Sequence, residues 1–455
     1  MTLAPYVIVA MLVAMALVGA WHARRVQSAE DFALAGRGLG VFILVGTLMA
    51  TWVGTGSILG NAEFTFENGV AGFFLPLSGL AGMLVLVRIA PRIRALRAAT
   101  VPEILGMAFG KRARQLGAVA LIGAYLIIVS YQYRAGSAVA SRLFGELNFT
   151  PPWGGEVSAW PLLAALFVVL YTALAGLRSV ASTDTIAGIV IVVGVVASLV
   201  LVVRGWDAAA QPLPPELLRP SGGFGFFAWV GFTLPGLLLM LGDANLMQRF
   251  LAAKTPATAR RAAWGAFFAL AVVESAVIAL ALVGRARLGP DLDNPAHVII
   301  AVAFELVPPA VGLSLVAAIV AVVLSTADSF LLAASTSIAG DLTGRRLSAF
   351  GQRLWVVALG LVALGLAYTS DSFFDVALFA YTIYGVAITP AVGLALFAPR
   401  TSSSAVVAGM FAGLATALVW KSTGLAFDPV LPALGANLIV VGLGCVLAPR
   451  KELGA

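Results

Sequence analysis

Apolar runs of about 20 residues recur along the whole sequence, separated by charged or turn-forming residues, and a run of this length crosses the hydrocarbon core of a bilayer as one helix. Only 11% of the residues are charged and 61% are hydrophobic, whereas soluble domains carry about 25% charged residues, so a soluble enzyme is excluded. The sequence therefore predicts an all-α polytopic membrane protein. We expect thirteen transmembrane helices, near residues 3–21, 40–60, 69–90, 115–140, 159–177, 183–204, 224–246, 262–284, 308–338, 352–369, 374–398, 404–421 and 430–448.

The basic residues indicate how these helices are oriented. If the N-terminus lies outside, most of the 28 Lys and Arg residues fall in cytoplasmic loops, as the positive-inside rule requires. We therefore predict an integral protein of the plasma (cytoplasmic) membrane with a cytoplasmic C-terminus. Arg24 and Arg25 follow the first apolar run rather than precede it, so that run is expected to remain as a helix. Because topology accounts for the basic residues, the lipid bilayer is an expected partner and nucleic acid is not.

Two of the predicted helices contain residues that interrupt a helix. Gly54 and Gly56 flank Thr55 in the second, and the seventh contains Pro235-Gly236 followed by Gly242-Asp-Ala-Asn245. Carbonyls released in such a break need partners, and a sodium ion with nearby hydroxyls supplies them. The alternative is that the glycines only allow close helix packing.

The spacing of the two interrupted helices predicts discontinuous helices within a five-plus-five inverted repeat. The corresponding division of the chain is a first helix and cytoplasmic loop at 1–39, repeats at 40–204 and 205–398, and two further helices with a short cytoplasmic tail at 399–455.

Charged residues within predicted spans cost roughly 2.5–3.5 kcal/mol at mid-membrane, which makes them functional candidates. We single out five of them as candidates: Arg134, Asp184, Asp243, Glu274 and Asp328. In the ninth span, helical spacing places Ser325 and Ser329 on one face with Asp328, and such hard oxygen ligands suit an alkali cation. Alternatively the hydroxyls bond back to carbonyls of their own helix, which leaves Asp328 unexplained.

Three segments carry a resemblance to a known family: Glu30-Asp-Phe-Ala-Leu-Ala-Gly-Arg37, Gly176-Leu-Arg-Ser-Val-Ala-Ser-Thr-Asp184 and Leu324-Ser-Thr-Ala-Asp-Ser-Phe-Leu-Leu-Ala-Ala-Ser335. In this order they resemble the sodium/solute symporter family, which includes sodium-coupled carriers of sugars, proline, sialic acid and choline and has the leucine-transporter-like fold. Thr100-Val-Pro-Glu103 and Gln248-Arg249-Phe-Leu-Ala resemble two weaker signatures of that family.

The resemblance implies a sodium ion as the coupled cation and the only metal. Its ligands would be Ala50, Val53, Val322, Ser325 and Thr326. It further implies a second ion site at Asp184, Asp328 and Ser329, although Asp328 stands where several members have a hydroxyl. Two carboxylates in one site repel each other, so such a site favours a proton or a bound cation. Capping of the sixth span is an equal alternative for Asp184.

A small organic solute is expected at mid-membrane, between the two broken helices and the fourth span. Its candidate ligands are Thr51, Trp52, Gly54, Ser57, Tyr131, Arg134, Asp243, Asn245, Tyr381 and Tyr384. A guanidinium matches a carboxylate, and Arg134-Ala-Gly136 resembles the sialic acid branch, which implies an anionic solute. The alternatives are an ion pair of Arg134 with Asp243 or Glu274, and a quaternary amine as in the choline branch, which Ala50-Thr-Trp-Val-Gly-Thr-Gly also resembles.

These observations predict a sodium-coupled symporter that imports a small, carboxylate-bearing solute by alternating access. The alternatives are a choline-like symporter and a membrane sensor on the same fold that transports little. An intramembrane enzyme is not expected, because the spans show no nucleophile–base pair or metal cluster. The sequence does not indicate an oligomeric state.

Overall fold

The computed structural model describes residues 4–23, 29–150, 154–343, 348–369, 373–425 and 428–447, and this part of the chain is nearly all helical. Arg24, Arg25 and the predicted cytoplasmic tail after residue 447 lie outside it. The helices are α1 (Ala4–Ala23), α2 (Ala29–Leu34), α3 (Val41–Trp52), α4 (Asn61–Asn68), α5 (Leu75–Ala95), α6 (Val101–Phe109), α7 (Lys111–Phe144), α8 (Trp160–Ala175), α9 (Leu177–Arg204), α10 (Phe226–Gly242), α11 (Ala244–Leu251), α12 (Pro256–Leu288), α13 (Val298–Ala301), α14 (Pro309–Ser337), α15 (Ala349–Leu366), α16 (Phe373–Phe397), α17 (Ser403–Ser422) and α18 (Val430–Leu447). Two short strands, β1 (Asn148–Phe149) and β2 (Val157–Ser158), pair antiparallel between α7 and α8.

The helices follow the predicted apolar runs. Among the described residues, nine helices are long and apolar enough to cross a membrane, and five shorter apolar helices accompany them. The all-α polytopic class is therefore confirmed, while the number thirteen remains a prediction. The sequence did not predict the short helix α6. Thr100 caps its N-terminus, because its hydroxyl accepts from Glu103 N at 3.1 Å, and the Glu103 carboxylate accepts from Ala99 N at 2.7 Å.

Both predicted helix breaks are present. The first follows α3 at Val53, where φ is −70° and ψ is 82°, and a π-helical segment at Gly56–Gly60 then leads into α4. The second separates α10 from α11 at Asp243, where φ is −58° and ψ is 122°. Pro235 lies inside α10 without ending it, so the second break lies at the Gly242-Asp243 signal rather than at the proline.

Helix α14 forms the centre of the packed core, with every residue from 321 to 339 buried. It lies against α9 so closely that a Cβ atom on Gly194 would be 2.6 Å from the Ser314 carbonyl oxygen. Helix α3 approaches α9 in the same way, since a Cβ on Gly46 would be 2.7 Å from Thr185 Cα. The broken helix α3 and the buried helix α14 are thus held against a common neighbour, and this arrangement positions the site.

Candidate functional site

The break after α3 leaves two backbone carbonyls without their helical partners. In a continuous helix Gly54 N would donate to Ala50 O, but here it donates to Trp52 O at 2.7 Å. Ala50 O instead accepts a hydrogen bond from Ser325 Oγ on α14 at 3.1 Å. Likewise, Ser57 N donates to Gly54 O and not to Val53 O, its acceptor in a continuous helix. The break thus releases both carbonyls, as the glycine pattern predicts, and that of Ala50 contacts α14.

Helix α14 brings the predicted hydroxyls to this break. Thr326 Oγ1 is buried and has no hydrogen-bond partner, and it would lie 3.3 Å from a Cβ atom on Gly54. Ser325 Oγ also lies 3.5 Å from Val322 O, within its own helix. Carbonyl and hydroxyl oxygens are the ligands that alkali cations prefer, so the residues present fit a sodium ion.

A small cavity opens beside this break, and we call it the central cavity. It has about 330 Å³ of empty space, part of it open to solvent. Six of the predicted solute ligands line it, namely Thr51, Trp52, Gly54, Tyr131, Asp243 and Tyr381, together with Ile128, Leu239, Leu246, Thr326 and Phe330. Thr326 is therefore both a predicted cation ligand and part of the wall of the central cavity, so the two predicted sites are adjacent.

Asp243 is the only charged residue among the described residues that line the central cavity, and it also stabilises the second break. Its Oδ1 accepts from Leu246 N at 2.8 Å, which caps α11, and its Oδ2 accepts from the Tyr125 hydroxyl at 3.0 Å. Tyr384 donates to Gly242 O at 2.8 Å and stacks on Tyr125. Tyr384 thus stabilises the second break through Gly242. It is not among the described residues that line the central cavity.

Three other predicted solute ligands lie apart from the central cavity. Ser57 lines an adjoining cavity that shares Trp52 and Tyr381 with it. Asn245 is fully buried in α11, and neither atom of its side-chain amide has a hydrogen-bond partner.

Arg134 is the third. It lines a separate cavity with Asp375 and Lys421, and its guanidinium carbon lies 4.9 Å from the centre of the Phe373 ring. The alternative for Arg134, an ion pair with Asp243 or Glu274, is not formed: Asp243 is bonded as above, and Glu274 accepts from Ser57 and Asn61.

The predicted second ion site contains a buried arginine. Arg249 on α11 is 0% exposed, and its Nη2 lies 3.0 Å from Asp184 Oδ2 and 2.7 Å from Ser329 Oγ. Its Nε donates to Thr47 Oγ1 at 2.7 Å, and Thr47 in turn donates to Asp184 Oδ2 at 2.5 Å. We refer to Arg249, Asp184, Thr47, Ser329 and Asp328 as the Arg249 cluster.

The Arg249 cluster joins α3, α9, α11 and α14 and contains two carboxylates for one guanidinium. Asp328 Oδ1 accepts from Ser329 Oγ at 3.2 Å, while Asp328 Oδ2 and Asp184 Oδ1 have no hydrogen-bond partner. Asp184 lies two turns inside α9, which begins at Leu177, so it does not cap that helix. The guanidinium supplies the positive charge that two buried carboxylates require.

Sequence reasoning missed Arg249 as a site residue because it follows the predicted span 224–246, where the positive-inside rule counts it among the basic residues of a loop. Its burial depends on Asp184 and Ser329, which are 65 and 80 residues away in the sequence. The available signal was the pair of intramembrane carboxylates, since two such groups without a cation would be very costly.

A known protein family matches most of this chain. The family model described as "Sodium:solute symporter family" matches residues 32–413. The chain belongs to this family. It is 25% identical to the osmoregulated proline transporter OpuE of Bacillus subtilis over 91% of this chain and 88% of that protein. It is 26% identical to the sodium/proline symporter of Salmonella typhimurium over 90% of this chain and 86% of that protein.

Solved structures show the same fold. A sodium-coupled sialic acid symporter in a substrate-bound outward-open state superposes with a TM-score of 0.83 at 17% identity, over 100% of this chain and 99% of that one. A nucleobase-cation-symport-1 transporter in a closed conformation superposes with a TM-score of 0.61 at 15% identity, over 90% and 92%.

This sodium:solute symporter is therefore an integral membrane protein that couples sodium to the movement of a small organic solute, and it is a transporter rather than an enzyme. The predicted five-plus-five fold with discontinuous helices is confirmed by the same comparisons and by the two breaks.

Proposed function

We propose that this symporter binds one sodium ion between the break of α3 and helix α14, with Ala50, Val53, Val322, Ser325 and Thr326 as ligands. The observation that carries this proposal is the contact of Ser325 Oγ with the released Ala50 carbonyl, beside the unpartnered hydroxyl of Thr326. A sodium ion at this point joins the broken helix to α14. It thereby stabilises the conformation in which these two helices are in contact, which couples ion binding to alternating access.

The solute binds in the central cavity, against Thr51, Trp52, Tyr131 and Tyr381. Support comes from the shared wall at Thr326, because a solute there would lie next to the bound sodium ion. Two named relatives carry proline, and the solved structure that superposes best of those described carries sialic acid.

The side chain of Arg134 does not support the predicted role of binding a substrate carboxylate. It lines a cavity that contains none of the other predicted solute ligands. The residues that line the central cavity therefore recognise the solute.

In place of a second ion at Asp184, Asp328 and Ser329, we infer that the Arg249 guanidinium serves as a fixed cation. Its Nη2 contacts both Asp184 and Ser329, two of the three predicted ligands. Coupling then uses a single sodium ion. The orientation that accompanies this proposal has the N-terminus outside and the C-terminus in the cytoplasm, as the distribution of Lys and Arg predicts.

The test is sodium-dependent uptake and sodium-dependent thermal stabilisation of the variant Ser325→Ala/Thr326→Ala. Both responses to sodium should be lost, because two hydroxyl ligands are removed while the packing changes little. The matched control is Ser335→Ala, which removes a buried hydroxyl from the same helix that bonds only Leu332 O at 2.8 Å. Stabilisation by sodium that is equal in the double variant and in the wild type would refute the proposed ligands.

A further inference from the structure

A carboxylate without a cationic partner lies in the core of the transporter, at Glu274 on α12. The side chain belongs to a residue that is 3% exposed, and its two oxygens accept from Ser57 Oγ at 2.7 Å and from Asn61 Nδ2 at 3.3 Å. Both donors are neutral, and no described Lys, Arg or His side chain forms an ion pair with Glu274. A buried carboxylate in this position is costly, which makes Glu274 a candidate for a functional role.

Glu274 faces a cavity with aromatic walls, which we call the acidic cavity. The acidic cavity has about 500 Å³ of empty space, part of it open to solvent. Its lining includes Ser57, Asn61 and Glu274, and also the rings of Trp52, Phe232 and Tyr381. Glu274 is the only charged residue among the described residues that line it. Aromatic faces attract organic cations, so the carboxylate and the rings favour the same kind of group.

The acidic cavity adjoins the central cavity, because Trp52 and Tyr381 line both. The charged residues that line the two cavities are Glu274 and Asp243, and no described cationic side chain lines either. An anionic solute would therefore be repelled by both carboxylates and would contact no cationic side chain among the described lining residues. A cationic group would be attracted by both carboxylates.

We propose that the acidic cavity receives a positively charged ammonium group of the solute, either an amine or a quaternary ammonium, and that Glu274 pairs with it. This inference rests on the proposed function, in which the rest of the solute occupies the central cavity. A second sodium ion fits the acidic cavity less well. Ser57 and Asn61 already donate to Glu274, and much of the remaining wall is aromatic or aliphatic and offers no oxygen ligands.

The test measures binding by thermal stabilisation of the full-length protein in sodium buffer, with three probes. Proline carries an ammonium and a carboxylate, choline carries only a quaternary ammonium, and lactate carries only a carboxylate. We expect at least one ammonium-bearing probe to bind and lactate not to bind. Glu274→Gln keeps the shape of the side chain and should weaken that binding about 100-fold, since a buried charge pair loses one partner.

Two comparisons separate this effect from misfolding and from a loss of sodium binding. Glu305→Gln removes the same charge from an exposed ion pair with Arg142, and it should leave binding unchanged. Stabilisation by sodium alone should persist in Glu274→Gln, which shows that the variant is folded and that the proposed sodium site is intact.

Binding of lactate but not of an ammonium probe, or unchanged ammonium binding in Glu274→Gln, would overturn the inference while leaving the proposed sodium site in place. If the wild type responds to sodium and Glu274→Gln does not, the proposed ammonium site is overturned and a sodium ion at Glu274 is favoured. If the wild type does not respond to sodium, the proposed sodium site fails, and this inference fails with it.

Discussion

Replacing Arg249 with methionine should destabilise the protein strongly, because the guanidinium is the only cation in the Arg249 cluster. Arg249 and Asp184 are both 0% exposed, and the guanidinium also donates to Thr47, Ser329 and the Asn245 carbonyl. Removing one partner of a buried ion pair costs about 3–5 kcal/mol, since the remaining charge is left without compensation. Here two carboxylates remain, so we expect a value in the upper part of that range.

The assay is equilibrium unfolding in mixed micelles, followed by helical circular dichroism, in a double-mutant cycle with Asp184→Asn. Arg249→Met in the Asp184→Asn background should cost about 2 kcal/mol less than in the wild type, because one of the orphaned charges is already gone. Arg249→Lys should recover part of the loss, since it restores the charge but not the planar fork.

An exposed ion pair provides the control for this cycle. Arg142 and Glu305 are 3.1 Å apart with side chains 55% and 48% exposed, so Arg142→Met should cost less than about 1 kcal/mol. A cost for Arg249→Met that is no larger than for Arg142→Met, or additivity of Arg249→Met with Asp184→Asn, would refute the reasoning.

Two further predictions concern packing and pH. Gly194→Ala should destabilise the protein by about 1–3 kcal/mol in the same unfolding assay, because the new Cβ would lie 2.6 Å from the Ser314 carbonyl. Gly123→Ala, with nothing within 4 Å of its Cβ, should cause no loss. Asp428 lies between α17 and α18, where burial raises the pKa of its carboxyl to about 6, against an opposing effect of its hydrogen bonds and of Lys421. The folded state therefore holds this proton more tightly than the unfolded chain, and the free energy of unfolding should fall as the pH rises from about 4 to about 6. Asp428→Asn should reduce that slope, and an identical slope in both proteins would contradict the assignment.

The sequence was informative where a residue's role depends on its neighbours in the chain. The apolar runs predicted the positions of the long helices, and Gly54 and the Gly242-Asp243 pair marked the two breaks because glycine and a capping aspartate act locally. Ser325 and Ala50 are 275 residues apart, so no local pattern could pair them. Their pairing was predicted only from the resemblance to the family.

The sequence was less informative where a side chain's direction depends on distant helices. Helix α7 is 34 residues long and carries buried residues along most of its length, so its pattern did not show that Arg134 and Tyr131 line different cavities. Glu274 was identified as a costly intramembrane charge, but its cavity is formed with residues from α4, α10 and α16 that no local pattern connects.

The Arg249 cluster also bears on the electrical work of transport. A guanidinium bonded to the protein stays behind when solute and ion are released, so a cycle with one sodium ion and a zwitterionic solute carries one net positive charge across the bilayer. Each such charge gains about 2.3 kcal/mol from a membrane potential of about 100 mV, which corresponds to roughly 40-fold accumulation of the solute. A second mobile sodium ion in place of Arg249 would double that free energy, so a fixed arginine lowers the maximum solute gradient that the membrane potential can support.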